Sequence, residues 1–259
     1  MTHDKLNIVA CGVAIAVGVL AAALNPLPSP QVFTSIPITW TGVPAVRPVG
    51  DLPPVVRDIE SHLLAGNPYR DPDDLVGWVH EGTHGINSVL RDTYRCPAFY
   101  VLQDRAALIQ EPGTTLSTVA GYIPPSLQGG VYNLYFYQQE PYWQDKPLCR
   151  LFDELSAYAN GANARMALGI ADRGETVRYA LELAVYSMCV PQAAQSTDPQ
   201  MREFLKYQTG RVMKIIISSG SPRDWEYIKK LRSAPDAENL RRFIRRYFGT
   251  AWAREELGL

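Results

Sequence analysis

The chain of 259 residues is poor in histidine, in cysteine and in net charge, and each shortage removes a class of function. With a formal net charge of −1 there is no excess of lysine and arginine to neutralise phosphates, which argues against a general nucleic-acid role. The clustered Arg241-Arg242 and Arg245-Arg246 read instead as the solvated face of a late helix. No C-x-x-C pair occurs among the four cysteines, so a cysteine-zinc site is not expected. Outside the amino-terminal apolar run, Cys96, Cys149 and Cys189 leave material for one disulfide. If residues 148–173 and 175–195 form an antiparallel helix pair, Cys149 sits about 10 residues further from their turn than Cys189. That offset is roughly 15 Å of helix rise, beyond disulfide reach, so Cys96 is expected to pair with Cys149.

Charge is also missing from Leu6 to Leu24, nineteen residues followed by Asn25-Pro26. A run of that length reads as a signal peptide or as a membrane anchor, and it places the rest of the chain outside the cytoplasm, either secreted, periplasmic or anchored. Residues 25–54 are proline-rich, with Pro26, Pro28, Pro30, Pro37, Pro44, Pro48, Pro53 and Pro54. They read as a spacer or as an arm that docks on the domain through Trp40 and its neighbours. Residues 55–259 form one domain, with no internal repeat and no second boundary.

Histidine is scarce, yet two of the four fall in His80-Glu81-Gly82-Thr83-His84. This is H-E-x-x-H, in which residues four apart on a helix share a face and can reach one metal, while the glutamate between them lies beside a metal-bound water. The stretch is suited to a helix. Asp71-Pro72-Asp73-Asp74 offers an N-cap, a proline at the first helical position and acids at the positive end of the helix dipole. Leu75, Val79, Gly82, Ile86 and Leu90 then recur at helical spacing as a core-facing stripe, and His80, Thr83, His84 and Asn87 form a polar stripe read as a cleft wall.

A catalytic zinc site takes a third protein ligand. Position 90, where some families place a third histidine, is Leu90, and His62 belongs to a separate predicted helix. The helical stretch from Leu151 to Gly161 carries Asp153-Glu154 among small residues. Glu154 is the expected ligand, with Asp153 placed to hydrogen-bond a ligand from behind.

On these residues the chain resembles the gluzincin group of zinc metallopeptidases, in which H-E-x-x-H is followed by a glutamate ligand on a later helix. The resemblance covers His80 to His84 and Asp153-Glu154-Leu155-Ser156-Ala157, which is similar to an N-E-x-x-A stretch of the aminopeptidase branch. It implies zinc held by His80, His84 and Glu154, with Glu81 as general base. The chain departs from the pattern in a longer gap between His84 and Glu154, and in Tyr158, where thermolysin-like enzymes carry an acid.

Between the two motifs, Ala98 to Leu102 and Ala106 to Ile109 read as a strand pair whose free edge would bind an extended peptide. Gly129 to Tyr137 reads as a further strand with Tyr135 and Tyr137 on one face, and Tyr135 is the candidate to stabilise an oxyanion. Helical patterns return over 201–218, 223–232 and 237–247. The expected architecture is α+β: a helix-dominated, zincin-like domain with a small antiparallel sheet, preceded by an amino-terminal hydrophobic helix. The expected function is an exported zinc metallopeptidase acting on a peptide or protein substrate. The competing expectation is an inactive zincin-like binding domain of the cell envelope.

Overall fold

A computed structural model describes residues 38–259, apart from Arg47, residues 65–68, residues 171–174 and the side chain of Glu140. The apolar run Leu6 to Leu24 lies outside the described residues. No described helix is long and apolar enough to cross a membrane.

Helices dominate, and a three-stranded antiparallel sheet accompanies them. Strand β1 (Trp40–Gly42) precedes α1 (Pro54–His62) and the long α2 (Leu75–Tyr94), and then come β2 (Ala98–Tyr100) and β3 (Arg105–Leu108). Three short helices follow: α3 (Leu116–Ala120), α4 (Gly130–Tyr132), which widens into π-type turns over Asn133–Gln138, and α5 (Glu140–Trp143). After a π-type turn at Leu148–Phe152 come α6 (Asp153–Ala167), α7 (Thr176–Ala193), α8 (Pro199–Ser219), α9 (Pro222–Ser233), α10 (Glu238–Phe248) and α11 (Thr250–Leu257).

The sheet order is β1-β3-β2, so the hairpin strand β3 is central and takes Trp40 opposite Ala107. The described part of the proline-rich segment thus supplies a strand. Trp40 also packs edge-on against Tyr207 at 4.9 Å between ring centres, with the Arg105 guanidinium 5.0 Å away. The hairpin turn holds three consecutive residues at positive φ, Leu102, Gln103 and Asp104. Asp58 on α1 offsets that strain: it accepts from the Gln103 N–H at 2.8 Å and from the Tyr100 hydroxyl.

Packing around α2 sets the site. Its core stripe holds as read, with Val79, Gly82, Ile86 and Leu90 buried between α1 and the sheet. On the next face α6 runs antiparallel to it: Asp153 meets Asn87, Asn160 meets Thr83, and Gly161 lies under His80. Behind α6, helices α7 and α8 close a larger core that includes Leu155, Ala159 and Ala162.

Several local expectations are corrected. Helix α2 begins at Leu75, with Asp74 as its cap accepting from Gly77 N at 2.9 Å; Asp71 instead turns the chain by accepting from Asp73 N. The segment expected as a strand, Gly129 to Tyr137, is helical from Gly130 on, because Val131, Tyr132, Tyr135 and Phe136 are buried at helical spacing, whereas Tyr137 is 70 % exposed. The expected Cys96–Cys149 disulfide is not formed. All three described cysteines are free and buried, and the Cys96 thiol lies 3.5 Å from Ile109 O. Arg241 is buried rather than solvated, donating to Leu231 O and Ala234 O at the end of α9.

The contact of α1 with α2 yields a packing test. A Cβ on Gly82 would stand 2.3 Å from Cγ2 of the fully buried Ile59, which has no room to swing away, whereas one on Gly161 would meet nothing closer than 3.5 Å. Gly82→Ala is therefore expected to destabilise by about 1–3 kcal/mol through overpacking. Gly161→Ala is expected to be neutral or to gain up to about 1 kcal/mol in helix propensity. Thermal melts of the two variants check the contrast, and equal melting temperatures would contradict this account of the packing.

Candidate metal centre

His80, Glu81 and His84 stand on one flank of α2, and Asp153 and Glu154 open α6 opposite them. These residues line a cavity of about 510 Å³ together with Ser88, Arg91, Tyr135, Gln139, Trp143, Arg150 and Tyr158. The structure therefore brings the expected ligands His80, His84 and Glu154 to one place with Glu81, Asp153 and Tyr135. Thr83 and Asn87, read as part of the cleft wall, are instead fully buried and bonded to α6; Ser88 and Arg91 continue the wall.

Three donor atoms converge. His80 Nε2 and His84 Nε2 are 3.2 Å apart, and Glu154 Oε2 is 3.8 Å from the first and 3.5 Å from the second. The circle through a triangle with those sides has a radius of about 2.0 Å, the length of a zinc bond to nitrogen or oxygen. Two imidazole nitrogens facing each other beside a carboxylate oxygen therefore fit a small divalent cation without rearrangement.

The surroundings fix the ligands in that posture. His84 donates its Nδ1–H to Asp153 Oδ2 at 3.0 Å, which leaves Nε2 turned inward. Asp153 also accepts from the Asn87 amide, and the Asn87 oxygen accepts from Tyr100 N at 2.7 Å. The relay runs from the sheet backbone to a ligand in three hydrogen bonds. Glu154, almost fully buried, is matched by Arg150 at 3.0 Å on Oε1 and by the Tyr135 hydroxyl, which donates to Oε2 at 2.9 Å. Arg150 in turn lies 4.2 Å over the Tyr135 ring. Burial pushes the Glu154 carboxyl up, but the hydrogen bond and charge of His84, then Arg150 and His80, hold it below its ordinary value.

Tyr135 thus reaches the site from a helical turn rather than a strand, and its single hydroxyl proton is committed to Glu154. Tyr158, whose hydroxyl is 3.5 Å from that of Tyr135 and whose ring stands edge-on to His80 at 4.4 Å, lines the cavity itself. Glu81 points into the same space with its Oε1 4.0 Å from His80 Nε2 and half its side chain exposed. Arg150 was not anticipated from sequence, although its place four residues before Glu154 on one helical face was a readable signal.

The edge-strand expectation fails for a definite reason. All three residues of β2 are buried, and the outward-facing backbone groups of Tyr100 are already taken, its N–H by Asn87 and its C=O by the Asn160 amide at 3.0 Å. No peptide can add there.

Asp58, His62 and Asp104 form a second cluster of possible ligands. Its geometry is that of an ion pair, since His62 Nδ1 faces Pro44 O at 3.0 Å and Nε2 faces Asp104 Oδ1 at 2.8 Å. An acceptor at both ring nitrogens favours the protonated imidazole. Burial works against this, and the hydrogen bond to Asp58 leads the contributions that raise its pKa.

Protonation at the metal centre generates a prediction. Burial and the charge of His84 push His80 well below its ordinary value, while Asp153, followed by Glu154, overcomes burial and raises His84 well above its own. The metal-free pair therefore carries one proton at neutral pH, on His84, and a cation entering between the Nε2 atoms must displace it. Calorimetric titration of chelator-treated protein with zinc, repeated in buffers of different ionisation enthalpy, should show about one proton released per ion at pH 7, and affinity rising up to about tenfold per pH unit. Binding without proton release would refute this protonation state.

Compared with known protein families, curated proteins and solved structures, the chain matches none.

Proposed function

We propose that the chain is a zinc-dependent peptidase that acts outside the cytoplasmic membrane. The observation that carries the reading is the position of Glu81: a carboxylate half open to the cavity, 4.0 Å from a nitrogen of the three-donor triangle and engaged by no other ligand residue. A purely structural metal site has no use for a free base at that point. The uncharged run from Leu6 to Leu24 supports the exported location.

His80, His84 and Glu154 would hold the metal, which when bound supplies a polarised scissile carbonyl and an acidified water. Glu81 accepts the proton of the attacking water and delivers it to the leaving amine nitrogen, so one carboxylate serves as base and then as acid. Tyr158 donates its phenolic proton to the carbonyl oxygen as negative charge develops there. Burial raises the Tyr158 pKa, which keeps the phenol protonated and able to donate. Tyr135 and Arg150 do not touch the substrate in this scheme. They orient Glu154 and compensate its charge.

Glu81→Gln replaces the base with a near-isosteric amide, so zinc content should be unchanged while turnover of a fluorogenic peptide library falls by about 10²–10⁴-fold. Tyr158→Phe should lower kcat by about 10–10³-fold with little change in KM. Glu154→Ala should lose the metal. Glu81→Gln protein as active as the parent would overturn the hydrolytic reading and leave a metal-binding domain.

A further inference from the structure

The capped edge of β2 leaves the question of what grips the substrate, and α2 answers it. The cavity wall on that helix runs His80, His84, Ser88, Arg91. Seven residues separate His84 from Arg91, which on an α-helix is about 10 Å along the axis and only about 20° around it. The guanidinium therefore lies in line with the ligands, further along the same groove. Long side chains on a helix lean toward its amino terminus, which carries the charged group back toward the donor triangle.

Arg91 is also unspent. Its Nη2 donates to Ser88 Oγ at 3.3 Å, and among the described residues no carboxylate forms an ion pair with it. The other charges of the cavity are occupied: Arg150 by Glu154, and Asp153 by His84 and Asn87. Glu111, which shares the neighbour Cys149 with Arg91, accepts from Leu148 N and Cys149 N. Glu81 is reserved for proton transfer in the proposed reaction. What remains is one cation without an ion-pair partner among the described residues, partly shielded from water, on the wall that carries the ligands.

We propose that Arg91 anchors a carboxylate of the peptide substrate, one to three residues from the cleaved bond. An extended peptide advances about 3.3–3.6 Å per residue, and that spacing covers the interval between the ligands and the leaning guanidinium. Two groups have the required chemistry: the free carboxyl terminus of a peptide, and an aspartate or glutamate side chain. This proposal deepens the peptidase reading and rests on it for the identity of the ligand.

The test compares three peptides of otherwise identical sequence: one with a free carboxyl terminus, its carboxyl amide, and the amide with a glutamate two residues beyond the scissile position. Binding to the Glu81→Gln protein is measured by calorimetry, with zinc and without it, beside the Glu81→Gln/Arg91→Ala protein. Removing Arg91 should weaken a carboxylate peptide by about 10–100-fold and leave the neutral amide unchanged. In the parent protein, Arg91→Ala should raise KM for the same peptides with kcat nearly constant, and Arg91→Lys should restore part of the loss. The peptide that responds identifies the source, terminus or side chain. Equal weakening of charged and neutral peptides, or no weakening of either, overturns the anchor while leaving the peptidase reading intact. Arg91-dependent binding with no cleavage by the parent protein retains the anchor and overturns the peptidase.

Discussion

Burying the Glu154 carboxylate is the constraint on which the rest of the site depends. A carboxylate removed from water costs several kcal/mol unless charge and hydrogen bonds replace the lost hydration. Here the replacement comes from three directions: Arg150 from the preceding turn, Tyr135 from the helical segment before it, and His80 and His84 from α2. The compensators come from three elements, so the requirement of one acid fixes how those elements meet. The aromatic ring of Tyr135 serves twice, as a donor to Glu154 and as the surface against which Arg150 is stacked.

The same economy couples the site to the sheet. Asn87 and Asn160 project from α2 and α6 and saturate the outer backbone groups of Tyr100, and Arg211 holds the Asn160 oxygen at 2.9 Å. A strand edge that would otherwise invite pairing is closed by side chains, a device that protects an edge without covering it with another strand. Because Asn87 also donates to Asp153, any shift of the sheet is transmitted to the partner of His84. The sheet is thus tied by hydrogen bonds to the candidate metal centre.

Much of the site was legible from sequence because its chemistry is local. The four-residue spacing of His80 and His84, the glutamate between them and the acidic pair opening a later helix are visible in short windows, and the structure brings all of them together. What escaped was set by long-range packing or by ambiguity of period. Tyr135 and Tyr137 suggest a strand when read two apart, but Val131, Tyr132, Tyr135 and Phe136 fit a helix better, and burial decides between the two periods. Thr83 and Asn87 read as cleft-lining because they are polar. Only the antiparallel approach of α6 shows that their partners are Asn160 and Asp153. Strand β1 was hidden in a proline-rich segment, where Trp40 and Thr41 pair with a strand more than sixty residues away. The cysteines misled because composition gives the possibility of a bond and nothing about the distance between thiols.

Charge bookkeeping across the cavity explains how such a cluster is stable before any metal arrives. Glu81, Asp153 and Glu154 bring three negative charges, which Arg91, Arg150 and the proton on His84 balance. The network is therefore satisfied by its own residues, and the fold does not need a metal as a staple in the way that a small zinc domain does. A dication that displaces the proton leaves the cavity with one net positive charge. Since Arg150 is locked to Glu154, that surplus resides at the metal and at Arg91. Under the proposed reading, a substrate presenting one carboxylate would restore neutrality, and the charges along α2 would favour it over a neutral one by the same electrostatics that balance the site without metal.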